Sequence, residues 1–162
     1  MLFAAIDIGS NAGRLLLANV MDFDGKIVAD KLNLVRIPLR LGMDVFQKGI
    51  ISSEKETMLV RTFKAYRDLL EVFQPIDVVA CATAAMREAL NSSEVLKRVK
   101  DEAGMDIIII DGEQEAKIIS ESDNSHLMRY HPHALYIDVG GGSTEITWYH
   151  NDKLLQTHSF NM

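Results

Sequence analysis

Apolar positions open the chain in short runs. LFAAIDI (residues 2–8) is too short for a typical helix, and RLLLANVM (14–21) follows a glycine-containing turn, so the pattern predicts two strands. Asp24-Gly25 supplies the next turn, and GKIVADKLNLVRIPL alternates from about Lys26 to Arg36 as a third strand, which makes the opening an antiparallel meander. Pro38 to Gly49 carries Gly42, Asp44 and Gly49 with little periodicity and reads as a loop. Helical spacing then appears at Met58, Phe63, Leu69, Leu70 and Phe73, predicting a helix over 53–73 that begins with a Ser53/Glu56 capping box. Beyond it the character changes to alternation of strand and helix: strand 76–82, helix 83–90 with Thr83 as its cap, helix 92–103, strand 106–110, helix 113 to about 128, and strand 134–139. Such alternation argues for parallel strands joined by helical crossovers.

Near residue 134 the meander starts again. ALYIDVGGGSTEITWYHNDKLLQTHSF reads as strand, glycine turn, strand, short turn at Asn151-Asp152, strand. Asp7 and Asp138 lie 131 positions apart (138 − 7), and each is followed within a few residues by an apolar residue, a glycine and a small polar residue. A single glycine turn after a strand is common; two copies at equivalent points of two meanders are not. Glycines at a strand end leave successive backbone N–H groups unobstructed, a concavity suited to anions and phosphate above all. Ser10, Ser143 and Thr144 add hydroxyl donors. A carboxylate beside a phosphate makes sense when a hard cation such as Mg²⁺ lies between them, so Asp7 and Asp138 are candidate metal-side residues and the two loops a candidate clamp.

Composition sets the bounds. A chain of 162 residues, 48% apolar and 25% charged, suits a soluble globular protein with one sound core. The net charge of −6 and the scattered lysines and arginines give no footprint for nucleic acid, no apolar run reaches membrane-spanning length, and MLFAAID lacks a basic leader, so a cytoplasmic location is expected. Cys81, the single cysteine, sits in the run IDVVACAT as an expected buried, inert thiol. His131-Pro132-His133 reads as a connection, the Asn91-Ser92-Ser93 sequon as incidental, and Trp148 and Tyr149 as packing residues on a strand.

Four ordered motifs, "DIGSN", "ATAAMREALN" (82–91), "IIDGEQEAKII" (109–119) and "IDVGGGSTEIT" (137–147), resemble those of the exopolyphosphatase and guanosine pentaphosphate phosphatase family, within the wider superfamily of sugar kinases, actin and heat-shock chaperone ATPases. The resemblance implies an α/β architecture of ribonuclease H-like domains that face each other across a substrate cleft. The first, residues 1–133, would be a three-strand meander followed by β-α units in a mixed five-stranded sheet; the second, 134–162, would be only its opening three strands. Those strands would expose an apolar face that invites pairing with a second copy, and the resemblance places activity with a larger protein than this chain. The implied reaction is hydrolysis of the terminal phosphoanhydride of inorganic polyphosphate or guanosine pentaphosphate, with Mg²⁺ or another divalent cation as cofactor. Glu115 matches the catalytic base, although Gln114 and Lys117 depart from the usual "GxEEAR" pattern. Arg87 matches an arginine that reaches the substrate, where its planar fork binds two phosphate oxygens. Ser10 and Asn11 of the first loop, and Gly140, Gly141, Gly142 and Ser143 of the second, are the expected phosphate-binding residues; Asp7, Asp138 and Glu145 are the expected metal-side carboxylates. Ala12 and Gly13 depart from a serine and a bulky residue. Two alternatives remain at this level: an ATP-dependent phosphotransferase of the same superfamily, and a non-catalytic polyphosphate or alarmone-binding regulator, to which Ala12 and Gln114 lend weight.

Overall fold

A computed structural model describes residues 1–121, 131–151 and 153–161. Two compact units divide between Ile109 and Ile110. The expected boundary at 133/134 falls inside the second unit, because the helix that follows Ile110 packs on the later strands.

In the first unit the meander forms as expected: β1 (Leu2–Ile8), β2 (Gly13–Phe23) and β3 (Lys26–Ile37) pair antiparallel, with a bulge where Leu17 gives way to Ala18. β4 (Asp77–Ala82) pairs with β1 in parallel, and the short β5 (Ile108–Ile109) with β4, so the mixed five-stranded sheet runs β3-β2-β1-β4-β5. Period-two alternation sends Ala4, Ile6 and Ile8 of β1, Leu15 and Leu17 of β2, and Ala80 and Ala82 of β4 to one face. There they bury against α2 (Ser53–Phe73) through Leu59, Val60, Phe63 and Tyr66, and the same core takes in Val95, Val99 and Ala103 of α4 (Ser92–Ala103). Full burial of one such side chain stabilises by about 1.5–3 kcal/mol.

Three local expectations are corrected. The stretch read as a loop contains α1 (Gly42–Lys48), closed at Gly49 in the left-handed region (φ 73°); a helix of two turns is too short to print a period. The cap of α2 is Ser52, not Ser53: its hydroxyl oxygen accepts from Lys55 N–H at 3.4 Å and itself donates to Asp44, holding that carboxyl below its ordinary value. Thr83 does stand at the N-cap of α3 (Ala84–Glu88), but its side chain makes no capping bond.

The second unit holds α5 (Gly112–Glu121) and the antiparallel sheet β6 (His133–Val139), β7 (Ser143–His150) and β8 (Lys153–Asn161), in the order β6-β7-β8. The remainder of the helix expected to about residue 128 lies outside the described residues, as does Asp152 of the expected turn. α5 packs on β7 and β8. Leu135, Ile137 and Val139 line up along β6 and are exposed, the open apolar face that the sequence foreshadows. Among the described residues no helix is long and apolar enough to cross a membrane.

Candidate functional site

Each meander bends in the same way after its first strand. In the first unit Gly9 N–H donates to Ala12 C=O at 3.0 Å; in the second Gly140 N–H donates to Ser143 C=O at 2.9 Å. Both bonds run from two residues past the aspartate to five residues past it, so the repeat in the sequence is a repeat of backbone geometry. At Gly140 a side chain has no room, since a Cβ would lie 3.0 Å from the Ser143 carbonyl oxygen. The first loop is tied further: Ser10 C=O accepts from Gly42 N–H and Asn11 C=O from Arg40 N–H, each at 2.9 Å. In a trans peptide the C=O and the following N–H point in opposite directions. The N–H groups of Asn11 and Ala12 therefore project away from the 40–42 segment, an arrangement suited to an anion. Ser10 is buried beside them.

The carboxylates differ between the two copies. Arg14 stands opposite Asp7 across β1 and β2, and its Nη1 meets Asp7 Oδ2 at 2.7 Å with both side chains about half exposed. In the second unit the residue opposite Asp138 is Glu145. The offsets are equal (14 − 7 = 7 and 145 − 138 = 7), so a guanidinium in one copy corresponds to a carboxylate in the other. Glu145 is 3% exposed, and among the described residues its side chain has one hydrogen-bond donor, the Ser159 hydroxyl at 2.8 Å. Two carboxylates directly opposed across strands repel, and burying one with a single neutral donor is costly. A hard divalent cation answers both difficulties, so the oxygen donors of Asp138 and Glu145 fit Mg²⁺. Asp7 already has its counter-charge in Arg14. No group of three metal-ligating side chains converges among the described residues.

Arg87 lies on α3, half-buried, just after the carboxyl end of β4; Thr83 N–H donates to Ile8 C=O at 3.1 Å and so ties the start of that helix to the end of β1. Within the first unit, Arg87 and the Ser10-Asn11 loop thus follow the carboxyl ends of two adjacent parallel strands, where ligands of open α/β sheets bind. Glu115 sits in the first turn of α5 with its Oε2 shielded from solvent. Gln114, a departure from the family pattern, serves the local structure, because its Oε1 accepts from Asp111 N–H at 3.0 Å while Asp111 Oδ1 accepts from Gln114 N–H at 2.7 Å. That reciprocal pair caps α5 much as a glutamate would. Close above the sheet, a Cβ on Gly112 would lie 3.0 Å from Ser159 Cβ, so the start of α5 rests on the residue that holds Glu145.

Cys81 stands opposite Asp7 on β4, half-buried rather than buried as expected, and burial, then the charge of Asp7, push its thiol above the ordinary value, which favours the protonated form. The same two causes push Tyr66 up to about 12. Two residues were not singled out by their sequence context. Arg14 is discoverable from the seven-residue offset it shares with Glu145; Ser159 leaves no local signal, because only strand register puts it beside Glu145.

The sequence profile of the Ppx/GppA phosphatase family matches residues 28–162. The bifunctional 3-dehydroquinate synthase/phosphatase of Fusobacterium nucleatum subsp. nucleatum is 32% identical over 148 residues, covering 89% of this chain and 22% of that protein. Among solved structures, the Aquifex aeolicus member of the Ppx/GppA family superposes with a TM-score of 0.81 at 30% identity, over 99% of this chain and 51% of that one. An exopolyphosphatase from Cytophaga hutchinsonii gives a TM-score of 0.84 at 26% identity, over 100% of this chain and 51% of that one. The chain thus spans about half the length of these solved relatives and about a fifth of the curated one. Profile, fold and the four motifs agree, and the chain belongs to the Ppx/GppA phosphatase family.

Proposed function

We propose that the protein to which this chain belongs hydrolyses the terminal phosphoanhydride bond of inorganic polyphosphate or guanosine pentaphosphate. The observation that carries the reading is the Asp138–Glu145 pair beside the glycine turn at 140–142: doubled negative charge next to anion-binding amides suits a divalent cation, which these two carboxylates would hold. When bound, the cation would neutralise phosphoryl oxygens and orient them. Each loop offers its amides to phosphate oxygens, the first with Ser10 and Asn11 and the second with Ser143. Arg87 binds two oxygens of the terminal group through its planar fork. Glu115 accepts a proton from water as the water oxygen bonds to the terminal phosphorus and the bridging P–O bond breaks, its electrons leaving with the shortened chain. In this reading Asp7 remains ion-paired with Arg14 and orders the first loop rather than meeting the metal directly.

The regulator alternative rested on Ala12 and Gln114, and the capping role of Gln114 removes half of that ground. A cytoplasmic location, no nucleic-acid partner and self-association through the open face of β6 belong to the same proposal. Phosphate release from long-chain polyphosphate and from guanosine pentaphosphate is to be measured on the full-length protein and on Glu115→Gln. The expected result is release by the unmutated protein and a loss of at least about a hundredfold in the variant with binding retained. Binding without release by the unmutated protein refutes hydrolysis, and ATP turnover that rises with a phosphate acceptor supports the phosphotransferase instead.

A further inference from the structure

The segment 39–42 has an ordinary sequence, yet its backbone is tightly held. Leu39 and Leu41 are fully buried, and Arg40 between them is held at φ 55°, in the left-handed region that residues with a Cβ avoid. Among the described residues the other non-glycine positions with positive φ are Asp24, Gln74 and Asn151, which occupy hairpin turns or a helix C-cap where that conformation is common. Arg40 has no such local reason. What its conformation accomplishes is to aim two N–H groups, its own and that of Gly42, at the successive carbonyls of Asn11 and Ser10. Gly42 meets the loop at close range: a Cβ there would lie 3.1 Å from Ser10 Cβ and 2.6 Å from Phe46 Cε2.

We infer that the segment 40–42 is a brace for the first phosphate loop, with Gly42 as a positioning residue. Both carbonyls of the loop are occupied on the side of the brace, so the Asn11 and Ala12 amides are turned outward before any ligand arrives, and binding involves no reorientation of those peptides. In the second loop the counterparts of Ser10 and Asn11 are Gly141 and Gly142 (three and four residues after the aspartate), and among the described residues their carbonyls accept no such bonds. Both loops share the bond that closes the bend, and the brace is an addition to the first. The inference rests on reading the first loop as a phosphate site.

The test follows the Asn11 and Ala12 amide resonances of the full-length protein while inorganic pyrophosphate is titrated, and KM and kcat are measured with polyphosphate. Gly42→Ala is compared with Val45→Ala, which removes buried volume from the same helix but leaves both brace bonds in place. Expected is a weakening of pyrophosphate binding and a rise in KM of about tenfold for Gly42→Ala, with kcat changed less, while Val45→Ala lowers Tm and keeps both within about twofold. The inference is overturned if Gly42→Ala loses thermal stability yet binds as the unmutated protein does, or if Val45→Ala weakens binding equally. It is also overturned if pyrophosphate moves neither amide in the unmutated protein. Pyrophosphate binding at those amides without phosphate release from any substrate would refute the hydrolase reading and leave the brace standing.

Discussion

Glu145→Gln replaces one of two carboxylates that oppose each other across β6 and β7 with a neutral group of the same shape. Directly opposed residues in an antiparallel pair hold their Cβ atoms about 5 Å apart. At that separation two negative charges repel by about 3 kcal/mol at an effective dielectric of about 20, and by less than about 1 kcal/mol in water. Asp138 is half-buried and Glu145 is 3% exposed, so a value between these limits, about 1–2 kcal/mol, applies. The glutamine side chain can still accept the Ser159 hydrogen bond. In EDTA the variant is therefore expected to melt about 2–6 °C higher than the unmutated protein. Magnesium reverses the order: at about one hundred times its Kd, a ligand of the folded state alone stabilises by about 2.7 kcal/mol, and the variant forgoes this. Differential scanning calorimetry in EDTA and across a Mg²⁺ titration reads both effects. A variant that melts lower in EDTA, or that gains as much from Mg²⁺ as the unmutated protein, would refute the assignment of the cation to this pair.

Two further outcomes follow from the first unit. Asn91 clasps the backbone of Ile51, accepting its N–H and donating to its C=O, each at 2.9 Å, so Asn91→Ala is expected to lower stability by about 2 kcal/mol in urea denaturation, and a change below about 0.5 kcal/mol would show the clasp to be idle. The Lys64 ammonium and the Arg98 guanidinium, each 2.7 Å from Glu102, lower its carboxyl from the ordinary 4.5 to about 2. A carboxyl whose folded value is depressed contributes stability above the unfolded value and loses it as pH falls through the folded one. Tm is accordingly expected to fall between pH 4.5 and about 2 more steeply in the unmutated protein than in Glu102→Gln, and parallel curves would contradict the pairing.

The amino-acid pattern went far because much of this architecture is local. Strand alternation along 2–8 and 26–36, the helical spacing of 53–73 and the glycines after Asp7 and Asp138 each depend on neighbours a few residues away, and the elements formed where the pattern put them. The reciprocal cap of α5 is local in the same sense: Asp111 and Gln114 stand three apart at a helix start, so the information for that cap is present in the sequence even though the family pattern draws the eye to the missing glutamate. The helix at 42–48 was illegible for a different reason, since so few residues carry no period and its stability comes from Val45 and Leu41 buried in the core.

The sequence by itself determined the order of strands and helices, the two equivalent bends and the family, because each is written in residues close together or at a constant offset. Only the tertiary structure decided what stands across from each aspartate. Strand register set Arg14 against Asp7 and Glu145 against Asp138, making one copy neutral and the other doubly negative, and chain folding carried Gly42 to Ser10 and Ser159 to Glu145. The last two pairings join positions 32 and 14 residues apart (42 − 10 and 159 − 145), the first two need strand register to become contacts, and electrostatic energy depends on separation in space.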